Sequence, residues 1–311
     1  MSLATPTRSV TVRVPAKVNL DLRVGPLRDD GFHDLATVFM AVGLYDEVTV
    51  TKSATWSVQT TGPYADLVPD TADNLALKAA RLLDRRLRYR QGPVHIRIDK
   101  AIPVAGGMAG GSADAAAALV ACDALWGMRA EREHLDIIGA AIGSDVPFAL
   151  HGGIAMGSGR GEHITPVLAR GTYHWVFALS SEGLSTPAVY AECDRLRGDE
   201  PVPTPEDSPA LISALRSGDA TALGAALHND LQDPALSLRP DLAEVLSAGL
   251  EYGALGGVVS GSGPTIAFLT GSAEHALDLC VALTASGVAP QVTRARGPVL
   301  GAHLIAGPTR E

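Results

Sequence analysis

The segment Ile102–Ala116, with the sequence IPVAGGMAGGSADAA, limits the fold of this chain most, because it places four glycines directly before an alanine-rich run. Glycine adopts positive φ angles freely, so a glycine-rich loop brings its backbone N–H groups close to a bulky anion. From Ser112 onward the residues are strong helix formers with apolar side chains at helical spacing. Since a helix N-terminus favours negative charge, the sequence predicts a phosphate-binding loop.

Two better-known glycine motifs do not fit this loop. A Walker loop has the pattern GxxxxGK[ST], and no lysine follows Gly111. A dinucleotide-binding loop follows its strand directly, whereas residues 99–103 separate the predicted strand Val94–Ile98 from the glycines. We therefore expect a phosphate site of a different class.

The composition indicates a folded protein with a large core, since 46% of its 311 residues are hydrophobic. This length favours two domains. The formal net charge of −9 argues against nucleic-acid binding, which needs a concentrated basic face. One basic cluster is interpreted as a solvent-facing surface of a helix and its C-terminal flank, and it consists of Arg81, Arg85, Arg86, Arg88 and Arg90.

No apolar run approaches the roughly 20 residues that cross a bilayer, and the first ten residues lack the hydrophobic core of a signal peptide. We therefore expect a cytoplasmic protein without membrane contact. Nine histidines show no metal-binding spacing, so a structural metal site is not indicated. The cysteines have no paired spacing and are interpreted as ordinary apolar residues: Cys122, Cys193 and Cys280.

Strand-like and helix-like segments alternate in the first half of the chain, which predicts an α+β fold. The strand-like segments are Val10–Val14, Asp46–Thr51, Val94–Ile98 and Gly153–Met156, and the helix-like segments are Asn74–Leu87, Ser112–Trp126 and His134–Ile142. A new apolar strand, Trp175–Leu179, follows Pro166, so we place a boundary there, between domains 1–166 and 167–311. The Pro- and Asp-rich segment Gly198–Pro209 is expected to be an exposed loop.

Three further segments combine a polar residue with an apolar strand or turn: PAKVNLDL at 15–22, IGSDVPFAL at 142–150 and SGSGPT at 260–265. In an extended segment, Lys17 and Asn19 project to the same side while Val18 faces the core. Taken alone, Lys17 is more often a solvent-facing charge, and Asp145 is more often a turn or cap residue.

With the glycine loop, these segments resemble the superfamily of galactokinase, homoserine kinase, mevalonate kinase and phosphomevalonate kinase, whose three signatures occur in this order. Within it the chain resembles the 4-diphosphocytidyl-2-C-methyl-D-erythritol kinases through PAKVNLDL, DDGFHDLATVF, DNLALKAARLL, the loop and IGSDVPF. The resemblance covers most of the chain and thins between Tyr190 and SGSGPT. It implies a two-domain α+β fold with the active site in the cleft between the domains.

The DGFHDL segment carries the substrate specificity that the resemblance implies, since other members of the superfamily lack it. In the family this segment lines a cytidine pocket in which an aromatic ring stacks on cytosine and a histidine hydrogen-bonds it. The matching positions are Phe32, in place of the usual tyrosine, and His33, and a local match assigns the second aromatic ring to Tyr190. A phenyl ring keeps the stacking face and loses the hydroxyl.

The resemblance also implies an ATP site at the glycine loop, where the family pattern GGLGGGSS appears as GGMAGGSA. The Cβ of Ala109 allows the family's backbone only if this position does not require the region open to glycine alone. Ser112 keeps a hydroxyl that can meet Mg²⁺ or a phosphate oxygen. The positions that match ATP-binding residues are Pro103, Val104, Ala105, Gly106, Gly107, Met108, Ala109, Gly110, Gly111, Ser112, Ala113, Asn74 and Lys100.

The implied reaction is transfer of the ATP γ-phosphoryl group to a hydroxyl of 4-diphosphocytidyl-2-C-methyl-D-erythritol, giving its 2-phosphate in the non-mevalonate isoprenoid pathway. Lys17 and Asp145 are the implied catalytic pair, Asn19 lies in the substrate site, and ATP and Mg²⁺ are the cofactors. A carboxylate beside an ammonium is a weak base for an alcohol, so we expect Asp145 to orient the hydroxyl and to accept its proton late. The partner is a small molecule with a cytidine diphosphate group, and the protein is expected to be a monomer or weak homodimer.

Two alternatives stay open at the level of sequence. A kinase of the same superfamily that acts on homoserine or mevalonate needs no cytosine pocket, and the DGFHDL segment argues against it. A catalytically silent nucleotide-binding protein can reuse the same fold. The presence of both Lys17 and Asp145 argues against that second alternative.

Overall fold

The computed structural model describes residues 8–86 and 90–310, and within them the chain forms two β-sheets covered by helices. Arg88 of the basic cluster and Leu87 of the first predicted helix lie outside these residues. The strands are β1 (Arg8–Leu27), β2 (His33–Lys52), β3 (Ser57–Thr61), β4 (Val94–Asp99), β5 (Ile154–Ser158), β6 (His163–Pro166), β7 (Tyr173–Leu179), β8 (His228–Asn229), β9 (Gly256–Val259), β10 (Ile266–Thr270), β11 (Gln291–Gly297) and β12 (His303–Arg310).

The helices supply the other layer of the structure. In chain order they are α1 (Leu75–Arg86), α2 (Gly110–Trp126), α3 (Arg132–Ala140), α4 (Val146–His151), α5 (Thr186–Arg197), α6 (Pro209–Ser217), α7 (Ala220–Ala226), α8 (Gln232–Leu238), α9 (Asp241–Glu251) and α10 (Ala273–Ser286).

The first sheet is built around the long strands β1 and β2, which pair antiparallel from Ser9–Thr51 to Leu27–His33. Its main path runs β12-β1-β2-β4-β3, with β5 beside β2, β6 beside β5 and the short β8 parallel to β1. Valines alternate towards the core at the start of β1, and every residue from Val14 to Leu22 is buried. The polar side chains in that stretch are therefore held inside the molecule.

Helix α2 is buried on almost all sides, because 11 of its 17 residues are in the core, most of them alanines. A helix of such small residues lies close to its neighbours, and α2 packs against β1, β2, α1 and α4. The phosphate-binding loop predicted from the sequence leads directly into this central helix.

The second sheet has the antiparallel order β11-β7-β10-β9. Helix α10 packs on β7 and β11, while α9 packs on β9 and β10. All five residues of β10 are buried, because Ile266 and Phe268 pack into one core cluster while Ala267 and Leu269 pack into the main core.

The elements predicted from sequence are present, with shifts of a few residues at their ends. The α+β fold class is confirmed, and residues 201–208 form a largely exposed connection before α6, as expected. The described arginines of the basic cluster are exposed or partly exposed. The three cysteines are free.

The domain boundary near residue 166 stays a prediction. Strand β6 ends at Pro166 and the second sheet begins with β7, while β8 and β12 return to the first sheet from beyond that position. Among the described residues, no helix combines the length and the apolar character needed to span a membrane.

Candidate active site

A cleft of about 830 Å³ lies where the glycine loop meets β1, the turn before β2 and helix α5. Residues from both halves of the chain form its walls. Those predicted from sequence that line it are Lys17, Asn19, Phe32, His33, Asn74, Lys100, Pro103, Val104, Ala105, Gly106, Gly107, Ala109, Gly110, Gly111, Ser112, Asp145 and Tyr190.

The glycine loop is pressed against the SGSGPT segment, which forms the turn between β9 and β10. Gly107 has φ +73°, and a Cβ at this position would lie 1.9 Å from the carbonyl oxygen of Ser260. The Ser260 hydroxyl also donates to the Gly107 carbonyl, at 3.1 Å. Since no side chain fits between the two backbones, Gly107 has to be glycine.

Ala109 adopts φ 59° and ψ 30°, a left-handed conformation just before α2. An L-residue can adopt this conformation at a cost of about 1 kcal/mol, unlike the region reserved for glycine. Its carbonyl accepts from the N–H of Ala113, at 2.9 Å, so it opens the helix. The alanine at this position is therefore compatible with the loop.

Two of the predicted loop residues face away from the cleft. Met108 and Ala113 are fully buried in the main core, so any contact from them to a nucleotide has to come from the main chain. Ser112 lines the cleft in the first turn of α2, and its hydroxyl lies next to Gly143 in the turn that leads to Asp145.

Lys17 lies on β1 beneath the glycine loop and is only 6% exposed. Its ammonium donates to Asn19 Oδ1 at 2.5 Å and to the Gly107 carbonyl at 2.6 Å, which confirms that Lys17 and Asn19 share one side of the strand. Burial lowers the pKa of Lys17, and the negative charge of Asp145 opposes that effect. Lys17 is therefore not the solvent-facing charge of the alternative interpretation.

Asp145 occupies the residue before α4, where a side chain often caps the helix. Its carboxylate makes no capping hydrogen bond, and it lines the cleft instead. Lys17 and Tyr190 line the same cleft, and the negative charge of Asp145 raises the pKa of each of them, against the effect of burial on Lys17 and together with it on Tyr190. The cap interpretation of Asp145 is therefore not supported.

Lys100 sits beneath the loop in a buried cluster with two carboxylates. Its ammonium donates to Asp46 Oδ2 at 2.5 Å and to Asp114 Oδ2 at 2.7 Å. Burial opposes the charge of Lys100, yet Asp114 and Asp46 raise its pKa. The N–H groups of Ala101 and Ile102 also donate to Asp46, so the cluster ties the loop entrance to β2 and α2.

Asn74 lines the cleft at the start of α1. Its side-chain oxygen accepts from the N–H of Ala76 at 3.0 Å, and its amide donates to the carbonyl of Pro69 at 3.3 Å. The side chain therefore caps α1 in this structure, and the ATP-binding roles expected of Asn74 and Lys100 stay predictions.

The residues of the predicted cytidine pocket lie together in the same cleft. His33 and Tyr190 stack with ring centroids 5.3 Å apart, and Phe32 is 49% exposed. The Nδ1 atom of His33 lies 2.9 Å from the carbonyl of Gly25, so Nδ1 is the protonated nitrogen. The buried Nε2 has no hydrogen-bond partner among the described residues and lies 3.4 Å from Asp194.

Sequence reasoning missed several residues of the site. Asp46, Asp114, Thr37 and Arg160 are distant from the motifs or inconspicuous within them. Thr37 accepts from the Asn19 amide at 2.9 Å and thereby leaves the Asn19 oxygen facing Lys17. A carboxylate inside an apolar helix, as at Asp114, was the one signal that could have been used.

Comparison with known proteins decides which family this is. Residues 74–153 match the GHMP kinases N terminal domain, and residues 211–289 match the GHMP kinases C terminal family. The 4-diphosphocytidyl-2-C-methyl-D-erythritol kinase of Thermobifida fusca is 57% identical and spans 96% of this chain and 98% of its own length. The protein of the same name from Mycolicibacterium smegmatis is 54% identical, with 97% of this chain and 94% of the relative covered.

The chain belongs to the 4-diphosphocytidyl-2-C-methyl-D-erythritol kinase family. A crystal structure of 4-(cytidine 5'-diphospho)-2C-methyl-D-erythritol kinase superposes with a TM-score of 0.73 at 32% identity, over 92% of this chain and 98% of the other. Mevalonate kinase from L. major, in complex with R-mevalonate, has the same TM-score at 17% identity, over 97% of this chain and 100% of the other, and shares the fold. The family resemblance is thus confirmed, and the chain is an ATP-dependent small-molecule kinase with the GHMP kinase fold.

Proposed function

We propose that this kinase transfers the ATP γ-phosphoryl group directly to a hydroxyl of 4-diphosphocytidyl-2-C-methyl-D-erythritol, giving the 2-phosphate. One observation carries this proposal: a single cleft is lined by the glycine loop, Lys17 and Asp145 and also by Phe32, His33 and Tyr190. Such a cleft accommodates a phosphate donor and a cytidine-bearing acceptor at the same time.

Phosphoryl transfer has a loose transition state, so the enzyme mainly aligns the reactants and stabilises negative oxygens. The loop N–H groups and the α2 N-terminus supply positive potential, and Lys17 supplies a full charge next to Gly107. Asp145 orients the acceptor hydroxyl and takes its proton as the new P–O bond forms. No covalent intermediate is required.

Mg²⁺ is the ion that we expect with ATP, and the oxygen ligands of this site suit it. The Ser112 hydroxyl and the Asp145 carboxylate both line the cleft, and hard cations prefer oxygen ligands. Within residues 8–86 and 90–310 no three or more His, Cys, Asp or Glu side chains cluster into a metal site. Ser112 and Asp145 would hold the ion together with the phosphates of ATP, and the ion would supply positive charge to their oxygens.

Substrate choice is assigned to the aromatic side chains that line the cleft. The half-exposed ring of Phe32 offers a stacking face, and the Tyr190 ring already stacks on His33. The substrate of a homoserine- or mevalonate-type kinase has no cytosine base to stack on these rings. The names of the two close relatives also favour the cytidine compound.

The proposed function is tested by incubating the purified protein with Mg²⁺-ATP and one of three alcohols: the cytidine compound, homoserine or mevalonate. We expect ADP release only with the first, and ³¹P NMR of the product should show a new phosphomonoester at the 2-position. Turnover of homoserine or mevalonate without turnover of the cytidine compound would overturn the proposal.

A further inference from the structure

Arg160 is a cation of the cleft that neither the proposed mechanism nor the buried Lys100 cluster uses. The described walls of the cleft include three lysine or arginine side chains, Lys17, Lys100 and Arg160. The first two ammonium groups are held by the hydrogen bonds given above. Arg160 differs, because neither terminal nitrogen of its guanidinium has a hydrogen-bond partner among the described residues. The donors that suit an anion best are therefore free on Arg160.

Arg160 is held in place by its own turn between β5 and β6. Its backbone N–H donates to Glu162 Oε2 at 2.6 Å, and its Nε lies 3.5 Å from Glu162 Oε1. The guanidinium carbon lies 4.8 Å from the centre of the Phe32 ring, within the range of a cation–π contact. The Arg160 side chain is about one-third exposed, so a ligand in the cleft can reach it.

An anionic ligand needs this charge, because the cleft is otherwise acidic. Four carboxylates line it, on Asp73, Asp114, Asp145 and Asp194. A guanidinium binds phosphate oxygens through two parallel N–H groups and stacks on aromatic rings at the same time. Only the ribose separates the diphosphate of a cytidine diphosphate compound from its base, so a base near Phe32 brings the diphosphate near Arg160.

We propose that Arg160 binds the diphosphate of the cytidine substrate, with the Phe32 ring holding the guanidinium in position. This inference rests on the proposed function and adds a residue to it. Arg160 contributes to the affinity for the acceptor, whereas the loop and Lys17 act on the phosphoryl group that is transferred. It therefore acts on the KM of the cytidine substrate and leaves the KM of ATP unchanged.

The test compares how cytidine and CDP inhibit the enzyme in competition with the cytidine substrate, at saturating ATP so that CDP does not occupy the ATP site. In the wild type we expect CDP to bind more tightly than cytidine. In Arg160→Gln the inhibition constant of CDP should rise by about tenfold or more, while that of cytidine stays within about a factor of two. In Arg160→Lys the inhibition constant of CDP should lie between the values for the wild type and for Arg160→Gln.

Arg195→Gln is the matched control, since Arg195 is on α5, pairs with Glu192 and does not line the cleft. It should leave both inhibition constants unchanged. Equal weakening of CDP and cytidine in Arg160→Gln would overturn the diphosphate assignment, and so would unchanged CDP binding. If the wild type turns over the cytidine compound and Arg160→Gln binds CDP normally, only this inference is contradicted. If the wild type does not turn over the cytidine compound, the proposed function itself is contradicted.

Discussion

Lys17 shows how a single buried charge is kept available for chemistry. The only oxygens within hydrogen-bond reach of its ammonium that the structure describes are neutral ones, from Asn19 and Gly107. An ammonium neutralised by a direct ion pair would have less charge to offer a phosphate, as is the case for Lys100 between its two carboxylates. The two buried lysines of the cleft therefore have different tasks, one electrostatic and one structural.

Lys17→Ala and Asp145→Asn should each lower kcat by roughly 10²-fold or more, because each removes a group that acts on the transition state. Nucleotide affinity, measured by equilibrium titration with ADP, should change little. Lys78→Ala is a suitable control, since Lys78 is on the outer part of α1 and pairs with exposed Asp73. Near-normal turnover in either active-site variant would exclude the assigned catalytic pair.

The lowered pKa of Lys17 has a measurable consequence at alkaline pH. Since burial favours the neutral amine, this lysine loses its charge below the usual value of 10.5. The pH profile of kcat/KM reports the free enzyme, so activity should fall as pH rises through that lowered pKa. Burial and Asp145 raise the pKa of Tyr190, so its phenol stays protonated there and does not cause the decline. A profile that is flat up to pH 10.5 would contradict this prediction.

At the scale of single residues, local pattern was sufficient where neighbours in sequence are also neighbours in space. The alternation around Val18 correctly predicted that Lys17 and Asn19 share one side of the strand, and the run from Ser112 predicted α2. The Lys100 cluster could not be predicted, because Asp46 and Asp114 are 54 and 14 residues away from it along the chain. Only the pairing of strands and the packing of α2 bring them together.

Among structural elements, the contact between the glycine loop and the turn after β9 depends on Gly107. Gly107→Ala combines a strained φ with a backbone overlap, so it should cost roughly 3 kcal/mol or more of unfolding free energy and weaken ATP binding. Gly127→Ala is the matched control, because Gly127 has a similar φ of +68° and nothing within 4 Å of its added Cβ. It should cost only about 1 kcal/mol. Urea unfolding measures both values. Equal stability of the two variants would show that the loop can shift to make room for a Cβ at position 107, which contradicts this prediction.

The buried cluster of Lys100, Asp46 and Asp114 joins β2, the residue after β4, and α2. The free energy of unfolding should respond differently to the loss of each of its two carboxylates. Asp114→Asn leaves a neutral Lys100–Asp46 pair, and burial already raises the pKa of Asp114, so unfolding free energy should change by only about 1 kcal/mol. Asp46→Asn should cost about 3 kcal/mol, because an amide cannot accept from both backbone N–H groups and also from Lys100. Urea unfolding at pH 7 measures both values, and the opposite order would contradict this assignment of roles.

For the whole molecule, the two chain halves share one sheet. β1 lies between β2 and β12, and β8 also pairs with it at Asp21 and Leu22. A fragment of residues 1–166 should therefore expose an unpaired edge of β1 and aggregate. Adding a fragment of residues 167–311 during refolding should restore a soluble complex, as measured by size-exclusion chromatography. A monomeric fragment 1–166 that unfolds cooperatively would show that this half folds alone.

The overall architecture was only partly accessible from sequence. The α+β class and most elements of the first half follow from the periodicity of apolar residues, and the family resemblance supplied the two-part arrangement. The return of residues 303–310 to β1 could not be predicted, because an antiparallel pairing across almost the whole chain has no local signal.

The position of Gly107 between Ser260 and Lys17 also has a consequence for protein engineering. The glycine loop is shaped from one side by a turn more than 150 residues later and from the other by a strand 90 residues earlier. Residues 102–116 transplanted into an unrelated scaffold should therefore keep the sequence of the motif but not its backbone conformation. Anyone who wishes to move this phosphate site has to transplant three distant pieces of chain together.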